Sequence, residues 1–193
     1  MRVLLLDAYR PDDPDRVVVD EAVTTLVDAG HEVVHRILVG GPFEAFLSAQ
    51  EREAYHTDRP LVTAETIDDA AEIARADAFL FCYPTVLFTV PAVLKTWLER
   101  VLVPGVAFVF DENDRIRPGM QNIRRIGSVT TTPHGGIATR RARDAGRRTT
   151  TWNIRMSCHR FCRRSTVRLR TGSPDRSAVR RICLLYTSDA ADE

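Results

Sequence analysis

The chain has 193 residues, of which 44% are hydrophobic and 27% charged, and its formal net charge at pH 7 is +1. This length allows one sizeable hydrophobic core, so we expect a single domain over residues 1–182. The sequence has no apolar stretch long enough to cross a bilayer, and it opens with a strand-like segment, Arg2–Leu6, rather than a signal sequence. We therefore expect a cytoplasmic protein without a membrane span.

The near-neutral charge hides an uneven distribution along the chain. Residues 1–139 contain 13 basic and 21 acidic residues, a net charge of −8, whereas residues 140–181 contain 14 arginines and two aspartates, a net charge of +12. Basic clusters of this kind can bind nucleic acid. Lysine occurs once in the whole chain, at Lys95, so arginine is the general basic residue here and we predict no nucleic-acid partner.

The first 39 residues predict a strand, a helix and a second strand. Arg2–Asp7 is a continuous apolar run, Arg16–Ala29 carries apolar residues at helical spacing, and Glu32–Val39 completes a βαβ unit. An aspartate at the end of a first strand also occurs in phosphoreceiver and haloacid dehalogenase domains. Their further aspartates are replaced here by Tyr83 and Tyr9, which makes both alternatives weak.

The most informative stretch is 79–104, which predicts a strand, a loop and a helix. Phe79–Tyr83 is apolar without alternation, as in a strand that is covered on both faces of a parallel sheet. Pro91 suits the first turn of a helix whose apolar residues repeat at helical spacing. The apolar loop between these elements follows the carboxyl end of a strand, where open α/β sheets bind ligands. We expect a flat, apolar ligand to cover it.

The other elements complete an α/β pattern. They are a short helix near Glu44–Glu53, a helix from Thr63 to Ala76, an extended segment Val106–Phe110, a strand Arg125–Thr131, a helical segment Arg147–Cys158, a strand Thr166–Leu169 and a last helix from Pro174. This alternation predicts a doubly wound, five-stranded parallel sheet in the middle of three layers.

Several short motifs resemble one known family. They are Tyr83-Pro84, the run Phe88-Thr-Val-Pro-Ala-Val-Leu-Lys95, the run Trp97-Leu-Glu-Arg-Val101 and the run Pro104-Gly-Val-Ala-Phe108. They are similar to the quinone reductase family of flavodoxin-like proteins, and a looser similarity extends from Met1 to about Arg170. The resemblance implies a homodimeric enzyme that passes hydride from NAD(P)H through bound FMN or FAD to a small quinone-like electron acceptor.

Two loops at neighbouring strand ends would hold the flavin ring. The residues concerned are Pro84, Thr85, Val86, Leu87 and Phe88 in the first loop, and Thr131, Thr132, Pro133, His134 and Gly135 in the second. The first would stack on the ring, and the second, similar to the family's Thr-Thr-Gly-Gly turn, would face its pyrimidine edge with N–H and hydroxyl groups. His134 is also the one candidate for a catalytic side chain, because residues 137–148 lack the family's tyrosine and histidine.

The loop after the first strand departs from the family. Relatives have a His-Pro start and hydroxyl side chains for the flavin phosphate, whereas this loop contains Tyr9, Arg10, Pro11 and three aspartates. We predict that Arg10, Arg16 and backbone N–H groups bind the phosphate. The alternative is that Asp15 caps the helix and that the arginines pair with the aspartates.

Other functions stay open at this point. The same slot would suit a reductase of nitro or azo compounds, and the hydroxyl-free phosphate loop would suit a flavin-poor regulatory or interaction protein on the same fold. An electron-carrying flavodoxin would require more Thr and Ser in that loop. In the family, residues 106–119 lie near the flavin and the dimer partner, and the alternative is an ordinary hairpin packed on its own domain.

The cysteines and the last residues complete the sequence evidence. Cys82, Cys158, Cys162 and Cys183 have irregular spacing, so we expect reduced thiols. Cys158, His159 and Cys162 lack a fourth ligand nearby, and we predict no metal site. Residues 183–193 resemble translated sequencing-adapter sequence, which would leave the last helix truncated and the outer sheet face partly uncovered.

Overall fold

The computed structural model describes residues 1–44, 46–55, 62–133, 145–172 and 174–186. The strands are β1 (Arg2–Asp7), β2 (Glu32–Ile37), β3 (Ala78–Pro84), β4 (Phe108–Phe110), β5 (Ile116–Pro118), β6 (Arg125–Thr132) and β7 (Arg163–Arg170). The α-helices are α1 (Val17–Asp28), α2 (Ala49–Ala54), α3 (Ile67–Arg75), α4 (Ala92–Val101), α5 (Ala145–Arg147) and α6 (Arg176–Leu184).

Five parallel strands form the central sheet in the order β2-β1-β3-β6-β7. Strand β1 pairs with β2 on one side and with β3 on the other, so the chain reverses its direction of travel across the sheet at this point. The carboxyl ends of β1 and β3 therefore flank the topological switch point, where such sheets bind ligands. The predicted doubly wound, flavodoxin-like fold is confirmed.

Helices cover both faces of this sheet. On one face, Phe79 and Phe81 of β3 pack with Trp97 of α4. On the other face, the sheet packs with α1 and α6 through two clusters of buried side chains: Val18, Val19, Ala22 and Leu26 of α1, and Val179, Ile182 and Cys183 of α6. Helical spacing of apolar residues had predicted the buried face of α1. None of the helices in the described residues has the length and apolar character needed to cross a bilayer.

Helix α6 differs from the expectation of an uncovered sheet face. It ends at Leu184, and Cys183 and Tyr186 are both buried. The Tyr186 hydroxyl donates to the carbonyl oxygen of Phe79 in β3 over 2.6 Å. The first residues of the segment 183–193 therefore contribute to the core beneath β3.

The predicted helix Arg147–Cys158 consists of three different turns. After α5, a π-helical segment covers Arg148–Asn153 and a 3-10 segment covers Ile154–Ser157. The hydroxyls of Thr149, Thr150 and Thr151 donate to the carbonyl oxygens four residues earlier, over 2.9, 3.0 and 2.8 Å. These hydroxyls compete with the backbone N–H groups for the same carbonyls, which accounts for the widened helix.

Residues 106–119 contain an antiparallel hairpin, β4 with β5. Phe108 contacts the rings of Tyr55 and Phe110 edge-on, each at 6.1 Å between centroids. The hairpin is therefore attached to its own domain, while Phe110 and Ile116 remain 39% and 67% exposed.

Candidate functional site

A tight turn follows β3 at the switch point. The backbone N–H and the hydroxyl of Thr85 both donate to the carbonyl oxygen of Thr131 in β6, over 2.8 and 2.9 Å. Val86 and Thr89 then exchange two backbone hydrogen bonds of 3.0 and 2.9 Å, which enclose Leu87 and Phe88. We call residues 86–89 the apolar turn.

The apolar turn has an unfavourable backbone and an exposed tip. Leu87 and Phe88 have φ angles of 47° and 61°, a conformation that costs a residue with a side chain roughly 1–2 kcal/mol. Leu87 is 88% exposed and Val86 is 50% exposed. Strain of this kind persists where the surrounding structure enforces it and is often found at ligand sites. Val86 and Leu87 therefore form an exposed apolar surface at the carboxyl end of β3.

The segment that begins with α5 supports the apolar turn from behind. The backbone N–H of Gly146 donates to the carbonyl oxygen of Phe88 over 3.2 Å. A Cβ atom at Gly146 would lie 3.1 Å from the Tyr83 hydroxyl and 3.3 Å from the carbonyl carbon of Thr89, so the close approach favours glycine. Sequence analysis missed Gly146. A glycine directly before a predicted helical segment, here Arg147–Cys158, is the signal that could have indicated this contact.

The end of β6 lies beside the apolar turn, as predicted. Pro84 and Thr131 are paired across β3 and β6. Thr131 and Thr132 are the last two residues of β6 and both are buried, whereas Pro133 is exposed. The carbonyl oxygens of Thr131 and Thr132 accept hydrogen bonds from Thr85 and Thr171. His134 and Gly135 lie outside the described residues, so their predicted roles stay predictions.

Tyr9 connects the ends of β1 and β6 below this surface. Its side chain is fully buried, and its hydroxyl lies 3.1 Å from the Thr131 hydroxyl. Burial raises the pKa of Tyr9 well above its ordinary value, which keeps the phenol neutral. Tyr9, which departs from the family pattern, therefore contacts Thr131 within the site.

A buried carboxylate organises the start of the first loop. Asp7 is fully buried, and its Oδ1 accepts the backbone N–H of Tyr9 over 3.0 Å. Its Oδ2 lies 3.1 Å from Arg16 Nε, 2.9 Å from Arg16 Nη2 and 3.1 Å from His35 Nε2. Arg16 therefore directs its guanidinium group at a carboxylate of the protein itself, and Asp20 lies 3.7 Å away on its other side.

The other charged residues of this loop largely bind one another. Arg10 Nε contacts Asp12 Oδ1 over 3.0 Å at the surface, where both side chains are about three-quarters exposed. Asp13 caps the first turn by accepting the N–H of Asp15, whereas the alternative in the sequence analysis had Asp15 as the cap. Asp15 is buried and accepts the N–H of Gly172 through Oδ1, while its Oδ2 has no partner among the described residues.

These contacts test whether a flavin nucleotide would fit. The apolar turn suits a flat ring, since its exposed side chains lie at the crevice mouth. Near the phosphate position, Arg10 is the exposed cation, although its guanidinium contacts the carboxylate of Asp12, and the backbone N–H of Asp12 is engaged with that same carboxylate. The carboxylates of Asp12 and Asp15 oppose an anion there. The ring half of the site fits well, and the phosphate half depends on Arg10 and the backbone N–H groups of its loop.

The sequence is similar to those of enzymes that reduce quinones. NAD(P)H dehydrogenase (quinone) 1 of Rattus norvegicus is 27% identical, over 74% of this chain and 57% of the relative. FMN-dependent NADH:quinone oxidoreductase of Cupriavidus necator is 28% identical, over 52% of this chain and 42% of the relative. The chain thus spans about half the length of these curated relatives.

A solved structure shows the same fold over nearly the whole chain. NAD(P)H:quinone oxidoreductase from Methanothermobacter marburgensis superposes with a TM-score of 0.72 and 23% identity, covering 98% of this chain and 96% of the other. Residues 1–171 match the Flavodoxin_2 family, which is described by its flavodoxin-like fold. Because this match covers most of its length, the chain belongs to the Flavodoxin_2 family.

Proposed function

We propose that this protein is a flavin-dependent oxidoreductase that takes hydride from NAD(P)H and passes it to a quinone-like acceptor. The observation that carries the proposal is the apolar turn, in which Leu87 is 88% exposed beside the switch point of the sheet. The relatives are an NAD(P)H dehydrogenase (quinone) and an FMN-dependent NADH:quinone oxidoreductase, which supports the same reaction class.

The residues that would hold the flavin divide into two groups. Val86 and Leu87 would contact the ring, with the shape of the turn fixed by Thr85 and by Gly146 behind it. Arg10 and the N–H groups of its loop would contact the phosphate. Pro84, Phe88, Thr131, Thr132, Pro133, His134, Gly135 and Arg16 remain predicted members of the site, of which Arg16 is the least suited because Asp7 already binds it.

When bound, the flavin supplies the hydride chemistry, and the protein supplies position and surroundings. The apolar turn excludes water from the surface that it covers. Tyr9 stays protonated at neutral pH because burial raises its pKa, so we assign it to holding the end of β6 rather than to proton transfer. No side-chain nucleophile is required for this reaction class.

Further features of the proposal concern cofactor, assembly and location. The relative from Cupriavidus necator is FMN-dependent, so we propose FMN as the cofactor, with FAD as the alternative. A homodimer is supported by the exposed apolar side chains on one hairpin, Val109, Phe110 and Ile116. A cytoplasmic location stays a prediction.

The test is an activity assay on the purified chain after incubation with FMN or FAD. We expect oxidation of NADH or NADPH that depends on added flavin and on a soluble quinone. Faster turnover with a nitro or azo compound than with any quinone would favour the other reductase class. A folded protein that neither binds flavin nor oxidises NAD(P)H would contradict the proposal and favour the regulatory alternative, for which the acidic first loop is the supporting observation.

A further inference from the structure

Two exposed arginines lie at the carboxyl edge of the sheet, on the side away from the first loop. Arg170 is the last residue of β7 and pairs with Thr132, the last residue of β6. Arg148 begins the π-helical segment and follows closely after Gly146, whose N–H contacts the apolar turn. We call the side chains of Arg148 and Arg170 the arginine rim.

Strand register places Arg170 on the face of the sheet that the π-helical segment covers. Paired residues of neighbouring strands project to the same face, and so do residues two apart along a strand. Arg170 pairs with Thr132, which lies two residues after Thr130. Thr130 pairs with Tyr83, whose hydroxyl lies 3.4 Å from the hydroxyl of Thr150 in that segment. Both members of the rim therefore belong to one face and one end of the sheet.

The charges of the rim are not neutralised by the rest of the described chain. Arg148 and Arg170 are exposed, and neither forms a hydrogen bond or an ion pair with a described residue. By contrast, the exposed Arg181 of α6 contacts the carboxylate of Asp175. Two exposed, unpaired guanidinium groups beside a ligand site are available to an anionic ligand.

A third exposed arginine at this edge, Arg176, differs from the rim. It is the first residue of α6, which covers the other face of the sheet. The hydrogen bond from Arg180 lowers the pKa of Glu21 in α1, and the charge of Arg176 acts in the same direction. Because Arg176 already interacts with a carboxylate of the protein, we do not assign it to the rim.

The rim is separated from the position expected for the flavin phosphate. That phosphate would bind at the loop after β1, and the sheet order places β3 and β6 between β1 and β7. With about 4.8 Å between neighbouring strands, the two positions are roughly 14 Å apart. A flavin whose phosphate is held at the first loop leaves the rim to the other anionic molecule of the reaction, which is the pyridine nucleotide.

The two common pyridine nucleotides differ by one phosphate. NADH and NADPH both contain a pyrophosphate, and NADPH has a further 2′-phosphate with a charge of about −1.5 to −2 near neutral pH. Positive charge beside a crevice raises the local concentration of the more highly charged ligand. The planar guanidinium group also matches the geometry of a phosphate, with which it forms paired hydrogen bonds.

We propose that Arg148 and Arg170 make NADPH the preferred hydride donor by binding its 2′-phosphate. This inference rests on the proposed function, because it names the donor of that reaction. Arg148 and Arg170 are specificity-determining residues in this account, and they take no part in the hydride transfer itself.

The first measurement compares kcat/KM for NADPH and NADH in the flavin-loaded wild-type protein, with a neutral quinone as the acceptor. We expect a preference for NADPH of at least about tenfold at low ionic strength, and added salt should remove most of it. Equal values at low salt, with both donors oxidised, would overturn the inference and leave the proposed function standing.

Variants assign the preference to the rim. Arg148→Gln and Arg170→Gln should each lower the NADPH-to-NADH ratio of kcat/KM about threefold, and the double variant about tenfold, through KM rather than kcat. The matched control is Arg160→Gln, which removes an exposed arginine before β7, at the amino edge, and should not change the ratio. Equal losses for both donors in the rim variants would place the shared pyrophosphate there and overturn the assignment of the 2′-phosphate.

A binding measurement tests the rim even if the chain oxidises neither donor, which would contradict the proposed function. Calorimetric titrations compare adenosine 2′,5′-bisphosphate with adenosine 5′-monophosphate, which differ by the 2′-phosphate alone. We expect the wild-type protein to bind the bisphosphate at least about fivefold more tightly and the double variant to lose this preference. No binding of the bisphosphate, equal affinities, or a preference that persists in the double variant would overturn the inference.

Discussion

The loops after β1 and β3 lie on either side of the same crevice, but they use their side chains in opposite ways. In the first loop, carboxylates bind the charged and N–H groups of the protein itself, as Asp7 binds Arg16 and Asp13 binds the N–H of Asp15. In the second loop, Val86 and Leu87 contribute little to the core and remain exposed at the end of a strained turn. The first loop is built for stability, and the second is available to a ligand.

This difference suggests where affinity for a flavin would come from. The polar groups of the first loop already bind other groups of the protein, so the loop offers few contacts to a phosphate. Binding would therefore depend mainly on apolar contact with the ring. Variants in the two loops should therefore affect different properties: stability in the first loop, and affinity in the second.

The largest expected effect is on stability, from Asp7→Asn. Loss of this charge leaves the partly buried Arg16 without its counterion, and we expect the free energy of unfolding to fall by about 2–3 kcal/mol. Urea unfolding measures this change. The matched control is Asp20→Asn at the exposed contact of the same arginine, where we expect a change below about 0.5 kcal/mol. Equal effects of the two substitutions would contradict the assigned role of Asp7.

The second prediction concerns Leu87, where stability and affinity should change in opposite directions. Leu87→Gly removes the strain of a positive φ angle and should stabilise the protein by about 1 kcal/mol. Leu87→Ala keeps the strain and should leave stability nearly unchanged. Both substitutions remove the exposed apolar side chain. Because a small apolar area is then no longer buried against the ring, flavin binding should weaken about tenfold. Unfolding and flavin titration of both variants are the measurements, and unaltered affinity would exclude Leu87 from the site.

The third prediction tests the support behind the apolar turn. Gly146→Ala places a Cβ atom 3.1 Å from the Tyr83 hydroxyl, and we expect a loss of about 1 kcal/mol despite the higher helix propensity of alanine. Tyr83→Phe removes the nearest atom, so Gly146→Ala should cost less in that background. A double-mutant cycle measures the difference. If the losses in free energy of unfolding were additive, the alanine at position 146 would not be in steric conflict with the Tyr83 hydroxyl.

The smallest effects are expected in the exposed ion pair of the first loop. Arg10→Ala should weaken flavin binding about threefold, and Asp12→Asn should strengthen it by a similar factor, because exposed charges are strongly screened. The hydrogen bond from Arg10 holds the pKa of Asp12 below its ordinary value. Any stabilisation by this pair is therefore present above the ordinary aspartate pKa and disappears as the pH falls through the lowered value.

The same pKa direction gives the pH dependence of the Asp12→Asn effect. The ratio of the two flavin affinities should be constant from about pH 7 to about pH 8, where Asp12 is ionised and the flavin phosphate carries its full charge. It should approach one at lower pH, because protonation removes the same charge as the substitution. A ratio that changes near neutral pH would indicate that another group controls Arg10.

Sequence patterns predicted the fold well where apolar periodicity was strong. The bounds of β1 agree with the prediction, and β3 extends only one residue beyond each predicted end, because both strands are continuous apolar runs. Strand β7 was predicted too short. It is an edge strand in which arginines alternate with other residues, and Leu169 is its buried residue, so its apolar signal is weak.

The candidate site could be predicted only in part. The apolar run 86–88, of which Val86 and Leu87 are exposed, was visible because nothing nearby in the sequence could cover it. The contacts of Asp7 with His35 and of Gly146 with Tyr83 join residues that are distant in sequence, and they depend on strand order and register.

The most direct test of the central claim is a titration with FMN of the purified protein from which any bound flavin has been removed. The fluorescence of the flavin follows the binding. The account predicts saturable quenching by the wild-type protein that weakens with Leu87→Ala and persists with Asp20→Asn. Absence of saturable binding in a protein whose unfolding transition shows it to be folded would contradict the claim that the apolar turn is a flavin site.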